Sequence, residues 1–500
     1  MNQPNNNIKA LLVYPKYPET FWSFRHALKF IGKKSTFPPL GLLTVAALLP
    51  DDWEKRLIDM NVEDLNDEDL KWADYIFISA MLVQQESVGE LVKLCKVFNK
   101  KIVAGGPLFT AGYQDFKEID HYVLDEAEIT LPSFLADLKR GCPKRVYRSE
   151  EKADIRETPI PLWNLIDIKK YASMNIQYSR GCPFNCEFCD IALLFGRIQR
   201  TKDKNQLLAE LDSLHTRGWN GGVFFGDDNF IGNKEKLKKE ILPALIKWRE
   251  EKKYPFTFST EASVNLADDE ELMDLMVKAG FGAVFLGIET PDEDSLTECG
   301  KFHNKNRDLV SCVKKIQKKG MEVQGGFIVG FDNDKPSIFE RQIQFIQKSG
   351  IITAMVGILG ALRGTKLYHR LKEERRLLKE ASGNNTDCSI NFVPKMDEKI
   401  LITGYKKIVS TIYSPNYYYQ RVTNFLKEHR PLIKRKIYFH PYYLKAFFRS
   451  IWILGMKEKG QIYFWKLLFW TLMRRPRSFP QAIIFAIQGY HFRKVFEKYF

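Results

Sequence analysis

Tyr178-Ser-Arg-Gly-Cys182-Pro-Phe-Asn-Cys186-Glu-Phe-Cys189 is the stretch from which the rest of this chain is read. Cys182, Cys186 and Cys189 are close enough in sequence to wrap one metal centre. Thiolates are soft ligands that favour zinc or iron–sulfur clusters. A structural zinc site needs four closed ligands, and the next candidates, His215 and Cys299, are distant in the chain. Three ligands on a 4Fe–4S cluster leave one iron open to a substrate or cofactor. A zinc knuckle or free thiols are the alternatives. An apolar strand signal over residues 175–179 runs straight into the motif, so the cysteines sit on a loop at a strand's C-terminal end.

Downstream, strand signals recur at 222–227, 256–261, 283–289, 322–329 and 353–360, with helical periodicity at 205–217, 268–278, 308–319 and 337–348. Gly218, Gly280, Gly320 and Gly350 stand where each of those helices should end in a left-handed cap. Six β/α units predict an open, partial barrel with its active face at the C-terminal ends of the strands. Upstream, strands at 8–15, 55–60, 75–81, 101–107 and 121–125 alternate with helices at 38–50, 85–98 and 131–140. That alternation predicts a Rossmann-like parallel sheet. The fold class is therefore α/β, followed by an α-helical C-terminal region. The expected domains are 1–141, a charged linker at 142–172 with three prolines, the partial barrel at 173–372, and helices at 373–500.

Hydrophobic residues make up 45% and charged residues 27%, a globular composition. Eight cysteines without disulfide-like spacing, and no apolar signal segment at the N-terminus, place the expected protein in the cytoplasm. Of the net charge of +15, residues 430–500 carry +13, interleaved with aromatics. That mixture suits the headgroup region of an anionic membrane, or an ordinary helical domain packed on the body. The longest uncharged run there, 478–492, is 15 residues, too short to span. Basic residues interleaved with large apolar ones argue against nucleic-acid binding.

The cysteine segment resembles the C-x3-C-x2-C signature of radical S-adenosylmethionine (SAM) enzymes, with Phe188 in the aromatic position before the last cysteine. The resemblance implies a 4Fe–4S cluster on Cys182, Cys186 and Cys189, and SAM as cofactor. Further matches sit at successive strand ends. Gly226-Asp227-Asp228-Asn229 corresponds to the family's SAM amino-group motif, although here a single glycine precedes the acids. Glu261 looks like a ribose-contacting position. Gly287-Ile-Glu289 resembles the adenine-side motif, and Gly326 belongs to the next strand's end. Leu40-Gly41, Gly105-Gly106-Pro107 and Glu126 resemble positions of the cobalamin-binding domain that precedes many such barrels. The Asp-x-His-x-x-Gly motif that supplies a cobalt ligand in other cobalamin domains is missing here.

Gly196-Arg-Ile-Gln-Arg-Thr-Lys202, Phe230-Ile-Gly-Asn-Lys234, Gly383-Asn-Asn-Thr-Asp387 and Ile412-Tyr-Ser-Pro415 look like the subgroup of hopanoid and bacteriochlorophyll side-chain methylases. The implied activity is cobalamin-dependent methylation of an unactivated carbon, with a radical rearrangement, cyclisation or oxidation as the rival. A flavodoxin- or ferredoxin-type protein is the implied electron donor, and an apolar polycyclic lipid or tetrapyrrole the implied substrate. No general acid or base is demanded. Residues 430–500 are expected to hold the protein at the inner membrane face or to pack on the body.

Overall fold

The computed structural model describes residues 7–429 and 441–499. The first sheet contains β1 (Lys9–Tyr14), β2 (Glu54–Asp59), β3 (Tyr75–Ser79), β4 (Lys101–Gly105), β5 (His121–Val123) and β6 (Val146–Tyr147). All are parallel, in the order β2-β1-β3-β4-β5-β6. Ala10 and Leu12 of β1 belong to one apolar core, and Leu11 and Val13 to another on the opposite face. That two-sided burial is why this strand reads as a continuous apolar run. The stretch expected as linker contributes β6, so the first sheet extends past residue 141. Val146–Tyr147 is too short to carry a periodic signal, and it forms because β5 offers an unpaired edge.

The second sheet has the order β14-β13-β12-β11-β10-β7. Its members are β7 (Met174–Ile176), β10 (Gly222–Phe225), β11 (Thr257–Ala262), β12 (Phe281–Glu289), β13 (Glu322–Val329) and β14 (Ala354–Ile358), and all are parallel. These are the six units expected. Gly218, Gly280, Gly320 and Gly350 all have positive φ, between 73° and 102°. The strand expected at 175–179 divides in two. After β7 the chain turns into β8 (Ser179–Arg180), which pairs antiparallel with β9 (Arg200–Thr201) and frames the cysteine loop.

Side chains pointing out of the barrel, such as Phe225, Val284 and Phe327, are fully buried under the helices. Those pointing inward keep some accessible surface: Asn175, Phe224, Ser259, Ala283 and Glu322 on one level, then Glu261, Phe285 and Gln324 on the next. A filled barrel would carry bulky branched residues there. Here most are polar or small, with Phe224 and Phe285 the large exceptions. The N-terminal segment closes part of the barrel lumen. Trp22 packs 5.4 Å from Phe285 and donates to Met355 Sδ at 3.0 Å, and Phe37 lies 5.3 Å from Phe224. The helix Phe479–Glu497 caps that segment, with Phe492 stacked on Phe21 at 4.3 Å and His491 Nε2 donating to the Phe21 carbonyl.

Candidate functional site

The cysteine loop leaves β8 at the C-terminal mouth of the barrel. Gly181 has φ 94°, and a Cβ there would lie 2.7 Å from the Ile198 carbonyl oxygen, so only glycine permits this start. Burial raises all three thiols above their ordinary range, Cys189 to about 12. Cys186 interacts electrostatically with both Cys182 and Cys189, so the three form one cluster of sulfur donors. Among the described residues no group of His, Cys, Asp or Glu is arranged to hold a single metal ion. Three thiols gathered about Cys186 on one loop, without a closed single-ion site, fit an iron–sulfur cluster better than a structural zinc site. Phe188, half-buried, lies 6.3 Å from Phe331, and Phe184 stacks on His303 at 3.6 Å. Burial lowers the His303 pKa to about 3, so it is neutral.

The acids at the strand ends divide by role. Asp227 accepts hydrogen bonds from Ser179 N, Ser179 Oγ and Tyr178 N, and so clamps the entrance to the loop. Asn229 is buried and accepts from Ser263 N at 3.2 Å. Both sit where the sequence motif put them, but their polar atoms are committed to the protein. Asp228 accepts from Gly181 N at 2.8 Å through one oxygen and stays part-exposed. Glu261 keeps accessible surface toward the lumen. Burial, helped by the charge of Asp190, pushes Asp228 to about 6, and burial with repulsion from neighbouring acids pushes both Asp227 and Glu261 to about 7. A ligand bearing a positive charge or hydroxyl donors would relieve both effects.

Glu289, at the end of β12, adopts φ 61° and forms a buried ion pair with Lys301. Gly287 makes the pair possible, since a Cβ there would lie 2.4 Å from both Glu289 Oε1 and Lys301 Nζ. Lys301 acts electrostatically on Cys182, Cys186, Cys189 and Glu261, yet no sequence signal marked it. Cys299, which looked remote, is buried next to Cys186, and its carbonyl accepts from Glu187 N at 2.9 Å. Gly326 faces the Phe285 ring, which a Cβ would approach to 2.9 Å. Beside the loop a cavity of about 470 Å³ opens between Pro183, Phe184, Asn229, Ser263 and Asn265.

A second cavity, of about 270 Å³, is lined by Leu40, Gly41, Gly105, Gly106, Pro107 and Glu126 together. The fold thus brings all six N-terminal candidates to one place. Its walls also include Gln177, Arg180, Leu194 and Phe195 from around the cysteine loop. Arg180 donates to Glu126 at 2.9 Å and to both oxygens of Glu128 at 2.8 and 3.1 Å, and Arg200 donates to Glu126 at 2.8 Å. Burial opposes ionisation of Glu128, but Arg180 holds its carboxyl below the ordinary value. Glu126 Oε1 is buried without a hydrogen-bond partner. An orphaned acceptor, apolar walls and a strand ending in two glycines fit the nucleotide-like tail of a corrin. Arg180 was in plain sight within the cysteine motif, but its partners lie more than fifty residues away in sequence.

Residues 33–135 match the model of the B12 binding domain, 176–346 that of the radical SAM superfamily, and 365–500 a domain of unknown function. An uncharacterized methyltransferase of Synechocystis is 44% identical over 97% of this chain and 91% of its own length. The hopanoid C-2 methylase of Rhodopseudomonas palustris is 33% identical over 93% of this chain and 90% of its own. The solved structure of the cobalamin-dependent S-adenosylmethionine radical enzyme OxsB shares the fold. It matches with a TM-score of 0.64 and 15% identity, covering 99% of this chain and 80% of that one.

Proposed function

This chain belongs to the radical SAM enzymes of the cobalamin-dependent methyltransferase family, and from that we propose that it methylates an unactivated carbon of an apolar, polycyclic substrate. The observation that carries the reading is the shared wall. The corrin-type cavity and the cysteine loop meet at Gln177 and Arg180, so both cofactors would serve one substrate position. When bound, the 4Fe–4S cluster and SAM supply a carbon-centred radical oxidant, and cobalamin supplies the methyl group.

The chain's own residues do the positioning. Cys182, Cys186 and Cys189 would hold the cluster, and Lys301 beside them would offset the negative charge of their thiolates. Asp227 and Gly181 fix the loop's entrance. Asp228 and Glu261, with carboxyl oxygens open to the mouth, would hold SAM by its ammonium and ribose hydroxyls. Gly287 and Gly326 leave room for the Glu289–Lys301 pair and for the Phe285 ring that border the mouth. Leu40, Gly41, Gly105, Gly106, Pro107 and Glu126 would seat the cobalamin tail. A small flavodoxin- or ferredoxin-type donor would reduce the cluster, and the working location would be peripheral to a membrane.

The hopanoid relative supports a polycyclic lipid as the substrate class. The test uses SAM carrying an isotopically labelled methyl group, supplied to reconstituted enzyme with lipid extract. Label appearing in a product one CH2 heavier supports methyl transfer. SAM consumption with unlabelled product would replace it with a rearrangement, cyclisation or oxidation.

A further inference from the structure

The C-terminal helices have two faces of opposite character. The inner one is ordinary core: Phe464, Leu467, Leu468, Phe485, Phe492 and Phe496 are buried. The outer one is not. Leu444, Phe448, Trp452 and Met456, four residues apart along Pro441–Trp452 and its continuation Ile453–Lys457, are all exposed, Phe448 by 60%. On Gln461–Arg474, Ile462, Phe469 and Met473 repeat the pattern at 67%, 58% and 78% exposure. Side chains at such spacings share one side of a helix. The two helices touch, with Trp465 Nε1 donating to the Gly455 carbonyl at 3.0 Å, so the stripes lie on neighbouring elements. Ten of the twenty-one exposed large apolar side chains in the described residues fall between 443 and 484, which concentrates the molecule's apolar surface there.

Cations stand among them. Lys445, Lys457, Lys459, Lys466, Arg474 and Arg477 are exposed, and among the described residues none meets a carboxylate at ion-pair distance. Lys457 lies over the Trp452 ring at 4.7 Å, a cation held beside an apolar anchor. The basic run at Lys434-Arg-Lys436 lies outside the described residues.

We infer that this outer face docks on the surface of an anionic lipid bilayer. The apolar stripes enter the headgroup–acyl boundary and the lysines and arginines meet lipid phosphates. No helix among the described residues is long and apolar enough to cross a membrane, so contact is from one side. A self-association face would be depleted in lysine at its centre, whereas here the cations stand between the apolar anchors. The neighbouring helix Phe479–Glu497 seats the segment Phe21–Phe24 that enters the barrel lumen, and Arg449 of the first striped helix donates to the Lys29 carbonyl just beyond that segment. The docked surface is therefore rigidly joined to the wall of the reaction chamber. Delivery of an apolar substrate from the bilayer is the role this face would have, which rests on the functional reading above.

The full chain is mixed with vesicles of phosphatidylcholine alone or with added phosphatidylglycerol, at low and high salt, and pelleted. The expected result is binding to the anionic vesicles, weakened by salt and about tenfold weaker on neutral ones. A residue of binding survives salt, because apolar burial is not screened. A variant combining Phe448→Ser, Trp452→Ser, Phe469→Ser and Met473→Ser should bind about tenfold less with an unchanged far-UV circular dichroism spectrum, because these side chains are largely in solvent. Full-length protein left in the supernatant with anionic vesicles overturns the inference. So does a variant that binds as well as wild type, or a wild type sedimenting as a dimer that the variant breaks. Labelled methyl transfer to substrate in detergent is measured separately, so the catalytic reading can stand while docking fails.

Discussion

Lys301 shows how much one unmarked residue can carry. It is buried, paired with Glu289, and acts electrostatically on all three cysteines on which the chemistry would depend. Removing one partner of a buried pair leaves the other charge unsatisfied, at roughly 3–5 kcal/mol. Lys301→Met should destabilise the protein by that order in anaerobic denaturant titrations, and adding Glu289→Gln should restore part of it. At the cysteines the outcome is simpler: Cys186→Ala should lose iron and SAM cleavage together, measured by iron content and 5′-deoxyadenosine release.

Glu322, deep in the lumen, offers a pH test. Burial raises its carboxyl to about 7 from the ordinary 4.5. The folded state therefore binds this proton more tightly than the unfolded state. The resulting stabilisation is complete below the unfolded value and is lost as pH rises through about 7. Glu322→Gln should flatten the fall in melting temperature between about pH 4.5 and pH 7, an effect on the order of 1–3 kcal/mol that is complete by pH 8. An unchanged slope would mean that the lumen solvates this carboxylate.

Among the elements, the hairpin of β8 and β9 couples the two halves of the site. Arg180 on β8 and Arg200 on β9 both reach the acids of the first domain. Glu128→Gln removes the charge that Arg180 grips with two nitrogens and should loosen the junction by about 2–3 kcal/mol. Cobalamin retention, followed by its visible spectrum, should fall while iron content stays unchanged. Equal loss of both would make the network a general support and not a link between sites. The strands and their glycine stops were legible because buried apolar runs and left-handed caps are local properties of a few residues. The hairpin was not, because each strand has two residues and is made by its partner.

For the whole molecule, the C-terminal region is both core and surface. A chain ending at residue 429 would uncover Phe21, Tyr413 and the seat of Phe492, which lie in one aromatic cluster. It should be insoluble or strongly destabilised. Truncation therefore cannot separate membrane contact from packing, whereas substitutions on the outer stripes can.

By itself the sequence determined the order of domains, the barrel's six units and the loop of three cysteines at a strand end. Each of these rests on residues near one another along the chain, where spacing alone sets which atoms can meet. Tertiary structure alone decided that Asp227 clamps a backbone while Asp228 and Glu261 face the mouth, and that Lys301 and Cys299 stand beside Cys186. It also decided which tail aromatics are core and which are exposed. Those outcomes depend on the direction of a side chain and on partners brought from far along the chain, and neither is encoded in local periodicity.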